Sequence, residues 1–250
     1  MRALVVSDIH ANLDALEAVL ASAPAHDTVW NLGDVVGYGA SPNEVIERVR
    51  GLGTVMVRGN HDRACCGLDS LVGFNPIATA AARWTRTTLT SEHILWLRQL
   101  SEGPVVSEGT EVSCVHGSVL DEDQYVMSLR DAWLPLKQAH SRITFFGHTH
   151  VQGGFAASEE EWFRLEPRYH GGNEAEEYEI PLRNGLRYLL NPGSVGQPRD
   201  HDWRAAYALY DGDRKTVSFY RVPYDVKMAQ QRILRAGLPD RLASRLREGR

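Results

Sequence analysis

The stretch Ala3-Leu4-Val5-Val6-Ser7-Asp8-Ile9-His10 is an apolar run that breaks into side chains able to bind a metal. Four more pieces repeat the arrangement: Val29-Trp30-Asn31-Leu32-Gly33-Asp34, Val55-Met56-Val57-Arg58-Gly59-Asn60-His61-Asp62, Val112-Ser113-Cys114-Val115-His116-Gly117 and Ile143-Thr144-Phe145-Phe146-Gly147-His148-Thr149-His150. In each, a strand-like run ends in a Gly or polar turn carrying Asp, Asn or His. Open α/β sheets hold ligands at the carboxyl ends of their strands, so the five pieces predict a single rim.

Working outward, the first half alternates strand-like and helix-like segments. A strand at 2–7 precedes helical spacing over 12–20, with apolar Leu13, Leu16, Val19 and Leu20. A strand at 28–32 leads to a helix whose cap is read as Ser41, with Pro42 at its first position and an end near Gly51 or Gly53. A third strand at 54–58 runs into an Asn-His-Asp turn, and this alternation implies parallel pairing with right-handed crossovers. Two helices are read between 75 and 100, Ser91 capping the second. The later half, with apolar segments at 187–190, 205–210 and 216–222 and turns such as Asp211-Gly212-Asp213, has antiparallel character. Together these predict two sheets packed face to face with helices outside. Residues 157–180, with acidic clusters at 159–161 and 174–179, read as a solvated surface excursion, the sharper alternative being a lid or partner site around His170. One or two helices are expected from about 225, their Arg241, Arg245 and Arg247 forming a polar face with no chemistry assigned.

With 250 residues and no Pro/Ser/Gly-rich linker, the chain reads as one domain spanning 1–250. A formal net charge of -5 lacks the basic footprint of polyanion binding, which disfavours nucleic acid as a bulk partner while leaving room for a small phosphorylated molecule. Three cysteines, two of them adjacent at Cys65 and Cys66, make no disulfide framework and suit reduced, packed thiols. The strand pattern begins at the first residues and leaves no stretch for a signal peptide, and no run approaches a membrane span. A cytoplasmic protein is expected.

Imidazole nitrogens mixed with carboxylate oxygens suit Zn, Mn or Fe better than Ca or Mg. The five turns offer more ligands than one ion needs, so two ions sharing a carboxylate is the economical arrangement. Asp34, alone on its strand end, is the natural bridge, holding the ions roughly 3.5 to 4 Å apart. Two divalent cations against Asp8 and Asp34 leave surplus positive charge, which wants an anion. A phosphoryl group fits, with a bridging water acidified for in-line attack and no covalent intermediate. His61 is set apart from the ligands as a donor to the leaving oxygen, with Asp62 to orient it. Arg58 is open between a phosphate clamp and a structural ion-pair partner. His26, His93, His140 and His201 have no comparable context.

These residues resemble the calcineurin-like metallophosphoesterases. The match rests on Asp8-Xxx-His10, Gly33-Asp34, Gly59-Asn60-His61-Asp62, His116-Gly117 and Gly147-His148-Thr149-His150. It extends to Ser7–Leu13, Gly33–Gly39 and Asn191-Pro192-Gly193-Ser194-Val195. The chain is most similar to the small prokaryotic branch related to phosphodiesterases and diadenosine tetraphosphatases. The resemblance implies a four-layer α/β/β/α sandwich, an α/β fold of two mixed sheets flanked by helices. It implies one metal on Asp8, His10, Asp34 and His150, the other on Asp34, Asn60, His116 and His148, the pair being Mn first, with Fe, Zn or Ni as substitutes. Asn12 and Ser194 would border the site as substrate contacts. One departure stands out: where protein serine/threonine phosphatases carry Asp-Arg in the second motif, this chain has Gly37 and Tyr38. The expected function is hydrolysis of a phosphodiester or phosphoanhydride bond in a small molecule, a nucleotide above others. A phosphomonoesterase, a protein phosphatase and a non-catalytic metal-binding scaffold are the alternatives, and oligomeric state is left open.

Overall fold

The computed structural model describes all 250 residues. In chain order the elements are β1 (Arg2–Val6), α1 (Leu13–Ser22), β2 (Thr28–Asn31), α2 (Pro42–Val49), β3 (Val55–Met56), α3 (Asn60–Cys65), α4 (Pro76–Thr88) and α5 (Ser91–Arg98). Then follow β4 (Val105–Val106), β5 (Val112–Cys114), α6 (Leu129–Gln138), β6 (Ile143–Phe145), β7 (Gly153–Ala157), β8 (Trp162–Leu165) and β9 (Glu176–Pro181). The chain closes with β10 (Arg187–Asn191), β11 (Ala205–Asp211), β12 (Thr216–Val222), α7 (Val226–Arg235) and α8 (Asp240–Glu248).

Two six-stranded mixed sheets result, ordered β3-β2-β1-β11-β12-β9 and β4-β5-β6-β10-β7-β8. β1 pairs β2 in parallel and β11 antiparallel, while β6 sits between β5 and β10, parallel to both. Alternation along β1 explains why its run is apolar throughout. Ala3 and Val5 enter the core between the sheets with Trp30, Phe145, Leu190 and Phe219, whereas Leu4 and Val6 face the core shared with α1, α2, α4, α7 and α8. A third cluster, including Ala132, Leu136, Phe146 and Phe155, seats α6 on the other sheet. The layers are therefore helices, sheet, sheet and helix, as expected from the residues.

Several local readings are corrected. Ser41 sits at the α2 N-cap without a side-chain hydrogen bond, so Pro42 and the buried Val45, Ile46 and Val49 define that helix. Thr90, not Ser91, caps α5, its oxygen accepting from the His93 N–H at 3.2 Å. The third strand shrinks to two residues, and the Asn-His-Asp turn is the first turn of α3. The excursion at 157–180 is partly sheet: β8 pairs with β7, and β9, with Glu176, Glu177 and Glu179, is an edge strand on β12. Its charges discourage further strand addition. α6, β4 and β7 were not foreseen. No helix is long and apolar enough to cross a membrane.

Cys65, Cys66 and Cys114 are buried free thiols, and burial pushes all three up from the ordinary thiol range. Since the thiolate is the reactive form, labelling by an aromatic disulfide at neutral pH should be at least about 100-fold slower in the native protein than in denaturant, where all three react together. Rapid labelling of a native thiol would contradict this packing.

Candidate metal centre

The rim lies where β1, β2, β3, β5 and β6 end, and hydrogen bonds lace its loops together. Asp8 and His10 donate main-chain N–H groups to Gly33 O and Asp34 O at 3.0 and 2.9 Å, and Gly147 N–H reaches His116 O at 2.7 Å. Asn191 Nδ2 donates to Gly147 O at 2.8 Å and to Thr149 Oγ1 at 3.0 Å, fixing the Gly-His-Thr-His loop. Nine non-glycine residues have positive φ, and Asp8, His10, Asp34, His148 and His150 are five of them. Left-handed backbone costs such residues about 1 kcal/mol or more, so the strain is concentrated where side chains are aimed inward.

Those side chains converge. Asp8, His10, Asp34 and His150 offer ligand atoms all within 4.8 Å of one another, as do Asp34, His116 and His148. Asn60 Oδ1 lies 3.3 Å from His116 Nε2, beside the second group. Asp34 belongs to both: its Oδ2 is 3.6 Å from His10 Nε2 and 3.5 Å from His116 Nε2. Its other oxygen accepts the His61 main-chain N–H at 2.8 Å, which orients the carboxylate.

The imidazoles are set for coordination. Nδ1 of His10, His116 and His150 points at the carbonyls of Val36, Leu32 and Gln197 at 3.2, 2.8 and 2.6 Å. A carbonyl only accepts, so each Nδ1 carries the proton and each Nε2 turns a lone pair inward. His10 Nε2 then faces His150 Nε2 at 3.1 Å, and His116 Nε2 faces His148 Nδ1 at 3.1 Å. The His10 and His150 lone pairs repel at that separation unless a cation lies between them, and the fully buried Asp8 Oδ1 has no hydrogen-bond donor. The donor set therefore fits two cations.

The buried carboxylates call for positive charge, and His116 supplies it in place of a cation. Burial opposes the Asp8 carboxylate most strongly, but the neighbouring His150 and His116 imidazoles together outweigh it and hold Asp8 well below the carboxylate range. Asp34 is likewise low despite burial, through His116 and His61. Burial lowers His10 and His150, and lowers His148 to about 3; His116 resists burial and rises to about 9 beside Asp34.

His61 stands next to the two groups rather than in either, its ring centroid 4.9 Å from that of His10. Burial takes it down to about 4, so it is a neutral imidazole, and its Nδ1 is buried without a partner. Asp62 does not orient it. Asp62 Oδ1 and Oδ2 accept from the N–H groups of Val36 and Gly59, each at 3.1 Å, tying two loops together. Burial and then Asp34 raise Asp62 to about 7. Arg58 is ion-paired here, with Nη2 3.3 Å from Glu122, a carboxylate that also binds Arg63.

Asn12 and Ser194, expected at the substrate, have other tasks. Asn12 caps α1 and donates to Gly196 O at 2.9 Å, and Ser194 Oγ donates to Asp8 O at 2.8 Å while accepting from Gln197 N–H at 2.8 Å. Both are buried with their polar atoms engaged. The departure at Gly37 and Tyr38 has a steric cause. Gly37 has φ +91° and a Cβ there would sit 2.5 Å from His61 Nδ1, while the Tyr38 ring packs 4.3 Å from the His61 ring. Gly37→Ala should therefore displace His61 and reduce turnover on the order of 10-fold or more with metal content retained, the loss read from steady-state rates and metal analysis. A fully active variant would contradict the packing.

A calcineurin-like phosphoesterase superfamily domain matches residues 1–215. The chain belongs to the calcineurin-like phosphoesterase superfamily. It is 35% identical to the uncharacterised protein MJ0912 of Methanocaldococcus jannaschii over 252 aligned positions, covering 98% of this chain and 97% of that one. The structure of a metallophosphoesterase from Sphaerobacter thermophilus superposes with a TM-score of 0.84 at 38% identity, covering 100% of this chain and 99% of that one. A shorter likeness, 43% over 67 residues, links 25% of this phosphoesterase-family chain to 23% of a symmetrical bis(5'-nucleosyl)-tetraphosphatase from Yersinia enterocolitica.

Tyr125 and Arg199 at the rim were missed from the sequence. Tyr125, 52% exposed, lies with its ring 4.0 Å from that of His148. Arg199 extends over Tyr38. A signal for Arg199 was its place just after the Asn-Pro-Gly-Ser-Val segment; nothing around Tyr125 marked it.

Proposed function

We propose that this protein is a dinuclear metal-dependent phosphoesterase that hydrolyses a phosphodiester or phosphoanhydride bond in a small phosphorylated molecule, a nucleotide in the first instance. The observation that carries this reading is Asp34 Oδ2, which faces His10 of one ligand group and His116 of the other at almost equal distance. Asp8, His10, Asp34 and His150 would hold one ion, and Asp34, Asn60, His116 and His148 the other. Mn suits this mixed N/O set, as do Fe, Zn and Ni. When bound, the two ions supply Lewis-acid polarisation of the phosphoryl oxygens and an acidified water.

The chain's own groups do the rest. Asp8 and Asp34 lower the net charge of the centre only partly, which leaves it attractive to a phosphoryl anion. The neutral His61 donates a hydrogen bond to the oxygen that departs, and Gly37 and Tyr38 fix its ring. The Yersinia tetraphosphatase likeness makes dinucleoside polyphosphates worth assaying beside simple diesters.

The Mn-loaded protein should hydrolyse bis-p-nitrophenyl phosphate and lose that activity on chelation, with recovery on Mn addition. Inactivity of the metal-loaded protein toward this diester, phosphomonoesters and diadenosine polyphosphates would refute the reading. At metal concentrations about 100 times Kd, linkage adds roughly 2.7 kcal/mol of stability, so Mn should raise the Tm of chelator-treated protein by roughly 5–10 °C. An unchanged Tm would argue against a site built from these residues.

A further inference from the structure

Two guanidinium groups beside the centre have no part in the chemistry above. Arg199 follows the Asn191–Val195 segment, and its main-chain N–H donates to His150 O at 3.2 Å. Arg245 comes from α8. Their guanidinium carbons lie 5.8 and 5.9 Å from the centroid of the same ring, Tyr38, which is itself 4.6 Å from the His10 ring and 4.3 Å from the His61 ring. The sequence placed Arg245 on a polar helix face, but it is only half-exposed and turned toward the rim.

What sets Arg199 apart is a buried donor that nothing satisfies and the lack of any carboxylate partner. Arg204 is matched by Asp202 and Glu176, Arg221 by Asp200, and Arg58 and Arg63 by Glu122, while Arg86 spends its donors on the Ala64 and Asp69 carbonyls. Arg199 Nη2 has only the Tyr38 hydroxyl at 3.4 Å and the Gln197 amide oxygen at 3.3 Å, and its Nε is buried without any partner. Arg245 Nε donates to the oxygen of Arg250, the last residue, whose carboxylate gives it a partial counter-charge that Arg199 lacks. No carboxylate side chain pairs with either. Burial, and after it the neighbouring Arg199, push Arg245 below the usual guanidinium range. Stacking on Tyr38 is worth only about 0.5–1 kcal/mol, too little to offset desolvation and like-charge repulsion together. The missing component is an anion.

We propose that Arg199, Arg245 and the Tyr38 hydroxyl form a second anion subsite that holds a non-scissile phosphoryl group, so that the preferred substrate carries at least two adjacent phosphoryl groups. The position of the subsite relative to the bond cleaved rests on the phosphoesterase reading; its capacity to bind an anion does not. Planar guanidinium forks suit phosphoryl oxygens, and the Tyr38 ring between them and His10 sets the offset from the metal centre.

The test is calorimetric titration of the Mn-loaded, full-length protein with methylenediphosphonate and with methylphosphonate, neither of which can be hydrolysed. A charge-assisted contact is worth about 1.5–3 kcal/mol, so Arg199→Gln and Arg245→Gln should each weaken the diphosphonate at least about 10-fold more than the monophosphonate. Arg199→Lys, which keeps the charge, should retain most of that difference even where the Gln variant folds poorly. Arg241→Gln, on the exposed face of α8 and paired with Glu248, should move neither affinity. Equal weakening of both ligands, or an unaltered diphosphonate affinity in the Gln variants, would overturn the subsite. Bis-p-nitrophenyl phosphate hydrolysis run in parallel separates the two claims: an inactive wild type refutes the phosphoesterase reading, whereas an active one without diphosphonate selectivity refutes only the subsite.

Discussion

Asp34→Asn should reduce turnover on the order of 10³-fold or more and should lower bound metal from two ions per chain to one or none. The reason is local. Asp34 Oδ1 accepts the His61 main-chain N–H, and an amide oxygen can keep that bond. The amide nitrogen would then replace Oδ2, presenting N–H donors where His10 Nε2 and His116 Nε2 gather at 3.6 and 3.5 Å. A donor cannot ligate a cation, and the charge that offsets the two ions falls by one. Folding should be less affected, because the backbone lacing of Asp8, His10 and Gly33 does not use this side chain. The checks are steady-state rate on a diester, metal analysis and Tm measured together; full activity in the variant would refute a bridging role.

His61→Gln should behave differently. Its side chain belongs to neither ligand group, so metal content should be retained while kcat falls on the order of 10²- to 10⁴-fold. The loss should be larger for phenyl esters than for p-nitrophenyl esters, since a poorer leaving group needs the donor more. Equal losses on both leaving groups would assign His61 to phosphoryl binding instead, and loss of metal would place it among the ligands. The contrast between the two variants separates holding metal from assisting departure.

Much of this was legible because the fold writes its site at strand ends. Four of the five apolar runs are buried on both faces, the third on one, which makes them conspicuous, and each stops where the chain must turn, which is where Asp8, Asp34, Asn60, His116 and His148 sit. The turns are also where left-handed backbone is tolerated by Asp and His. What escaped notice depends on tertiary contacts. Asp62 looked like a partner for its neighbour His61, yet its oxygens reach across to Val36 and Gly59 N–H groups. Asn12 and Ser194 lie beside the centre in sequence terms but spend their polar atoms on a helix cap and on the Asp8 loop. The acidic run at 174–179 read as loop because Glu176, Glu177 and Glu179 mask an edge strand in which only Ile180 is buried. Arg199 and Arg245 come from segments far apart along the chain, and only the docking of α8 against the rim brings both onto Tyr38.

The central claim is that two cations share Asp34. Anomalous diffraction from crystals of the Mn-loaded protein tests it most directly. The account predicts two Mn peaks roughly 3.5–4 Å apart with Asp34 Oδ2 between them, one peak against His10 and His150 and the other against His116 and His148. A single peak, or two peaks not bridged by Asp34, would contradict it.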